Sequence, residues 1–224
     1  MARRRVWLRC ASTLFAATAL PGAAAATPAA AAPEAYLTQC STTYYASDSR
    51  LGPAELPVPG QSEIGDELAG YQRTGSETPE GFLARYYDST ANGGHGSFIY
   101  PPDNGFVIDS AGAPVESPQT LAAGEQLDRY GSEFGNFLAP YGTPYSGRSF
   151  PPASLDTVDA NYTCNYHAYR VLKPFAVEAG PAAPWFAQHG GGQRYHLDGA
   201  LLPGGPAHPN VKYLLDHGYL ERLS

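Results

Sequence analysis

An α/β fold of the α+β kind is predicted, with small antiparallel-rich sheets, few helices and an irregular N-terminal lobe. Three observations predict it. Residues 34–102 are rich in Ser, Thr, Gly, Pro and Tyr, with little periodicity. From 103 onward, short strand-like runs alternate with Gly/Pro loops. Only one segment of that second part, Asn210 to Gly218, repeats its apolar residues at helical spacing.

Taken in order, the chain opens with Arg3, Arg4 and Arg5, an apolar stretch around Val6 to Leu20, and small residues from Ala23 to Ala32. That order reads as a secretory signal peptide over residues 1–26, with cleavage between Ala24 and Ala32. Arg9 interrupts the apolar stretch, which is too short and alanine-rich for a bilayer span, so no membrane span is expected in the mature chain. The product is expected to be secreted, at the cell surface or beyond it. Cleavage leaves about 195 residues, enough for one core with an appended lobe.

Loss of Arg3, Arg4, Arg5 and Arg9 takes the basic count from 14 to 10 against 21 acidic residues, and the formal charge from −7 to about −11. Such a surface excludes general nucleic-acid binding, and any anionic ligand must meet individually placed arginines. Cys10 leaves with the signal, so Cys40 and Cys164 remain in an oxidising compartment, where a disulfide between them is expected. Asn161-Tyr162-Thr163 is a glycosylation sequon, usable at Asn161 only in a eukaryotic secretory pathway.

In the lobe, residues 34–102, a helix is expected near Glu63 to Tyr71 and a last strand at Phe98-Ile99-Tyr100. In the second part, residues 103–224, Gly105 to Asp109 and Ala113 to Val115 read as a strand and its return. Further strands are expected at Gln126 to Tyr130, Tyr166 to Leu172 and Gln193 to Leu197. In the final helix Val211, Leu214 and Leu215 share a face, and Gly218 is the cap.

Several chemistries are disfavoured by spacing. His189-Gly190-Gly191-Gly192 looks like an esterase oxyanion loop, but no Gly-x-Ser-x-Gly turn exists to carry a serine nucleophile. The six histidines show no zinc spacing. Asp198, Asp216 and Glu221 could collect a hard cation through carboxylate oxygens, which leaves Asp216 and Glu221 as weak calcium candidates beside the simpler reading of a solvated acidic surface.

The informative stretch runs from Asp128-Arg129-Tyr130-Gly131, through Pro140-Tyr141-Gly142-Thr143-Pro144-Tyr145, to Arg148-Ser149-Phe150-Pro151-Pro152. It continues through Tyr166-His167-Ala168-Tyr169-Arg170-Val171 and Gly190-Gly191-Gly192-Gln193-Arg194-Tyr195. These motifs resemble the tuberculosis necrotizing toxin family over about Asp103 to Leu223, and the lobe resembles the extra N-terminal part of its fungal members. The resemblance implies an NAD glycohydrolase, which cuts the nicotinamide–ribose bond of NAD to give nicotinamide and ADP-ribose, with NADP as a further candidate substrate. NAD is then the substrate and no cofactor is required. A homodimer is implied by the resemblance alone.

Arg129 and Arg148 match the family's active-site arginines, whose planar forks suit a diphosphate. Gln193 matches a glutamine that holds the nicotinamide-side ribose, and Tyr130 and Phe137 match aromatics along the NAD cleft. Without the resemblance, Arg148 reads as a surface charge, Tyr130 and Phe137 as core, and Gln193 as unremarkable. His167 reads as a strand histidine bonded to backbone. The rivals are an ADP-ribosyltransferase, for which no Glu-x-Glu pair is found near Gln193, and an inactive secreted binding or surface protein of the same fold.

Overall fold

Short strands of two to seven residues, most of them followed within a few residues by a glycine or proline, build the protein. The computed structural model describes residues 35–223, so the segment read as a signal peptide lies outside the described residues. In chain order the elements are α1 (Ala35–Thr38), α2 (Glu63–Glu67), α3 (Pro79–Tyr86), β1 (Tyr87–Asp88), α4 (Ala91–Gly94) and β2 (Ser97–Phe98). There follow β3 (Ser117–Leu121), β4 (Gln126–Tyr130), β5 (Phe137–Pro140) and α5 (Tyr145–Arg148). The chain ends with β6 (Tyr166–Val171), β7 (Phe175–Pro181), β8 (Gln193–His196), α6 (Val211–Asp216) and β9 (Leu220–Arg222).

All paired strands are antiparallel, as expected. The small antiparallel sheets expected from the sequence are present, but those of the second part are not separate. Instead β5 pairs with both β4 and β8, joining the strands into one seven-stranded sheet of order β3-β7-β8-β5-β4-β6-β9. The lobe adds a two-stranded ribbon, β1 with β2. The anticipated strand and return near Gly105 to Val115 is realised only as isolated bridges, Ile108 to Pro114 and Phe106 to Ala182.

Alternation along the strands sorts side chains onto two faces. On one face Leu127, Leu138, Tyr169, Val177 and Tyr195 pack with Val211 and Leu214 of α6. Asn210 caps that helix by accepting from the Tyr213 N–H, and Gly218 follows its end at φ 68°. Leu214 is fully buried, so Leu214→Ala is expected to lower unfolding free energy by about 3 kcal/mol, measured as a shift in the urea midpoint.

On the other face Tyr130, Tyr166 and Ala168 pack with Tyr145 and Leu155, and with Ile64 and Leu68 of the lobe. The Cys40–Cys164 disulfide is formed within this second cluster. Helix α2 is capped by Ser62, which accepts from the Gly65 N–H, and it delivers Ile64 and Glu67 to the interface with the sheet. The lobe thus covers one face of the sheet through Ile64 and Leu68, and its Leu51, Phe82 and Tyr86 form a third cluster with Phe186 of the second part.

Candidate active site

Two cavities meet beneath Tyr100 of the lobe and Phe137 of β5, both of which line each of them. The larger, about 370 Å³, is also lined by Arg129, Tyr130, Gly135, Phe150 and Pro151. The smaller, about 210 Å³, adds Asn104, Gly105 and Arg194. Together they form a cleft walled by aromatic rings, of a size usual for small-molecule sites.

Two arginines serve this cleft. Arg129 is 7% exposed; its Nε donates to the Gly131 carbonyl (3.1 Å) and its Nη1 to the Phe137 carbonyl (2.9 Å). Arg194 is 6% exposed; its Nη1 donates to the Asn104 carbonyl (2.8 Å) and its Nη2 to the Arg148 carbonyl (2.7 Å). The Arg194 guanidinium also lies over the Phe137 ring at 4.9 Å, and the ring of His196 packs against that same phenyl at 5.2 Å. Both arginines are lodged over glycines: a Cβ at Gly135 would collide with the Arg129 guanidinium, and one at Gly105 with that of Arg194.

Among the described residues neither arginine forms an ion pair. Buried cations are normally paired, because desolvation penalises the charged form. Here burial pushes both guanidinium groups down to about 10, with distant Tyr169 and Glu133 only partly offsetting it at Arg129. An anion entering the cleft would supply the missing partner.

Arg148, expected beside Arg129, lies elsewhere. Its side chain is buried behind the cleft wall, donating through Nη1 to Asp128 (2.5 Å), through Nη2 to Glu67 (3.0 Å), and through Nε to the Thr143 carbonyl (2.8 Å). Its charge is already balanced by carboxylates, and it touches the cleft through Tyr130, over whose ring it lies at 5.2 Å. The structure thus brings together Arg129, Tyr130 and Phe137 of the expected set, and adds Arg194. That arginine was visible in the Gly-Gly-Gly-Gln-Arg-Tyr motif, but strand alternation was needed to see which of two neighbours faces Phe137.

Gln193 stands at the start of β8, half-buried and paired with Pro181. It alternates with Arg194 and so shares a face with Tyr195 rather than with Arg194 and His196. His167 lies on β6, its Nε2 3.3 Å from the Asn165 Oδ1 and its ring against Tyr162; its partner is a side chain where backbone was expected. The calcium expectation is not supported. Asp216 pairs with Lys212 (2.5 Å), Glu221 pairs with Arg170 (3.1 Å), and Asp198 accepts from the Ala200 N–H. Among the described residues no group of three or more His, Cys, Asp or Glu side chains is placed to hold a metal ion.

Residues 120–223 match the family model described as tuberculosis necrotizing toxin. The chain is also 43% identical over 191 residues to a conidial surface nicotinamide adenine dinucleotide glycohydrolase of Aspergillus fumigatus, covering 85% of this chain and 76% of that one. The chain belongs to the tuberculosis necrotizing toxin family. Among solved structures it is similar to tuberculosis necrotizing toxin complexed with its immunity factor, at 24% identity and a TM-score of 0.46, over 65% of this chain and 71% of that one. The family-model match begins inside β3, so the lobe that supplies Tyr100 and Glu67 lies before it, while the A. fumigatus relative matches most of the chain.

Proposed function

We propose that the chain hydrolyses the bond between nicotinamide and ribose in NAD, releasing nicotinamide and ADP-ribose. The observation that carries this reading is the pair of buried, unpaired guanidinium groups, Arg129 and Arg194, in an aromatic-walled cleft of a family member. The substrate's diphosphate carries two negative charges, and two forks that donate to its oxygens match them. Tyr130, Phe137 and Tyr100 present rings to the base moieties and exclude water from the breaking bond.

The chemistry asks little of an acid. As the bond between ribose C1′ and nitrogen breaks, its electron pair neutralises the pyridinium, so nicotinamide leaves without a proton. Water then adds to the oxocarbenium-like carbon and gives its proton to solvent. NAD is the substrate and no cofactor takes part. Gln193 remains in the proposal through the family motif, holding the ribose hydroxyls by its amide. Arg148 acts one layer back, on Tyr130.

The test incubates the protein and Gln193→Ala separately with NAD and follows both products by chromatography. Equal nicotinamide and ADP-ribose are expected from the native chain, with kcat about tenfold or more lower in the variant. Nicotinamide without matching ADP-ribose would instead reveal transfer to an acceptor, and no nicotinamide from folded protein would leave a binding protein.

Action outside the cell or at its surface belongs to the same reading. It is supported by the N-terminal sequence pattern, by the surface location in the name of the A. fumigatus relative, and by the disulfide. Among the described residues no helix is long and apolar enough to cross a membrane. Asn161 is exposed beside Asp159, open to glycan attachment. A homodimer is part of the proposal by family resemblance.

A further inference from the structure

Behind the cleft wall the protein buries more acid than base. Glu67, on α2 of the lobe, is 4% exposed and reaches into the sheet. Its Oε2 accepts from the Tyr130 hydroxyl (3.0 Å) and from Arg148 Nη2 (3.0 Å), and its Oε1 from the Tyr166 hydroxyl (3.1 Å). Asp128 of β4 accepts from Arg148 Nη1 (2.5 Å) and from the Gly142 N–H (2.9 Å), and its Oδ2 lies 3.3 Å from the same Tyr166 hydroxyl oxygen. The two carboxyl groups thus share the Arg148 guanidinium and stand against the same Tyr166 hydroxyl, which places them side by side.

Arg148 alone neutralises one carboxylate. Asp128 and Arg148 both lie within residues 120–223, the stretch that matches the family model, and would balance one another there. Glu67 comes from outside that stretch and makes the count two to one. A buried surplus of one negative charge is costly, whereas a carboxylic acid beside a carboxylate can donate to it and share its place. The groups facing Glu67 are Asp128 and Tyr130 on β4, Arg148 on α5 and Tyr166 on β6, with Glu63 on its own helix close enough to Asp128 to feel its charge.

We propose that Glu67 is a positioning residue held as a neutral acid: its hydroxyl donates to Asp128, and it thereby pins the lobe to β4 and fixes Tyr130 and Arg148 behind the cleft. It touches no substrate. Its influence runs through Tyr130, which lines the cleft beside Arg129. Burial first, and the Asp128 charge second, push the Glu67 carboxyl up to about 8 against the opposing pull of Arg148 and Tyr130. Once the proton is lost to solvent, the two carboxylates repel across the joint between lobe and sheet, and the wall of the cleft loosens.

The sign for stability follows from linkage. The folded value lies above the ordinary 4.5, so the stabilising contribution is whole below that pH and is lost as pH rises toward 8.

The activity arm of the test rests on the NAD-cleaving reading; two other arms do not. Native protein, Glu67→Gln and Asp128→Asn are compared by kcat/KM against pH, by Tm against pH, and by the infrared carbonyl band of a protonated carboxyl. The native kcat/KM is expected to fall about tenfold per pH unit above a pH of about 8. Glu67→Gln keeps the hydrogen bonds of the neutral acid, so its neutral-pH rate should stay within about threefold and its alkaline limb should vanish. Asp128→Asn leaves a single carboxyl group facing Arg148, so the surplus disappears and the limb should also flatten, which covers the case of a misfolded Glu67 variant.

The band should be present in native protein at neutral pH and missing from Glu67→Gln. Absence of that band from native protein, or an alkaline fall and a pH-dependent Tm that persist unchanged in both variants, would overturn the proposal. If NAD is not cleaved at all, the band and the Tm profile still decide whether Glu67 holds its proton.

Discussion

Arg129→Ala is expected to lower kcat/KM for NAD by about 100-fold. The estimate takes two charge-assisted hydrogen bonds to a phosphate oxygen pair at about 1.5 kcal/mol each. Most of the loss should fall on KM, because the diphosphate is gripped in ground and transition state alike. Arg194→Ala should behave in the same way, whereas Glu67→Gln, at neutral pH, should not.

A lysine at position 129 keeps the charge but cannot reproduce the fork that reaches both the Gly131 and Phe137 carbonyls, so Arg129→Lys should restore only a small part. Product binding gives a check independent of turnover. ADP-ribose should raise the native Tm, by the equivalent of about 2.7 kcal/mol at a hundredfold excess over Kd, and leave Arg129→Ala nearly unmoved. Wild-type kinetics in Arg129→Ala would remove this arginine from the site.

The second large effect is expected from the disulfide. Cys40 and Cys164 are 124 residues apart in sequence, and closing so long a loop restricts the unfolded chain by about 5 kcal/mol in the chain-entropy account. The bond also lies beside a backbone contact between the two parts, in which the Cys40 N–H donates to the Thr163 hydroxyl (3.0 Å). Cys40→Ser with Cys164→Ser, or reductant added to the native protein, should move the urea midpoint down by an amount matching that free energy. A midpoint indifferent to reductant would contradict it. Because Glu67 and Tyr100 both belong to the lobe, activity should fall before the sheet itself unfolds.

How much of this was legible varied with the kind of signal. Strands β4, β6 and β8 were found because each carries several aromatic or aliphatic residues between obvious breakers, and α6 because Val211 and Leu214 fall on one face. Strands β3 and β5 escaped notice for opposite reasons. Ser117–Leu121 has a proline and mostly exposed side chains, and only pairing with β7 makes it a strand, while Phe137–Pro140 is four residues in a loop-like sequence held from both sides. The local sequence at β5 says nothing of its two partners. That is why the sequence alone predicts small sheets where pairing at β5 makes one continuous sheet.

For the site, the arginine motifs single out a stretch of chain but cannot sort unpaired guanidinium groups that line a cavity from buried ion pairs. Arg129 and Arg148 have similar sequence surroundings, yet one faces a cavity and the other two carboxylates. The carboxylate that settles the matter, Glu67, lies 81 residues before Arg148, within the helix expected near Glu63 to Tyr71, and nothing in that pattern says which part of the sheet the helix meets. Only tertiary structure joins them.

The two-faced sheet has a further consequence for how such a protein can change over generations. On β8, Tyr195 packs into the apolar core while its neighbours Arg194 and His196 contact Phe137 at the cleft. Along β8, mutations at Arg194 and His196 therefore retune the cleft on positions the core does not count, and a change at Tyr195 falls on the core. A descendant could acquire a new substrate by successive single steps along one set of alternate residues, each step leaving the other set able to fold.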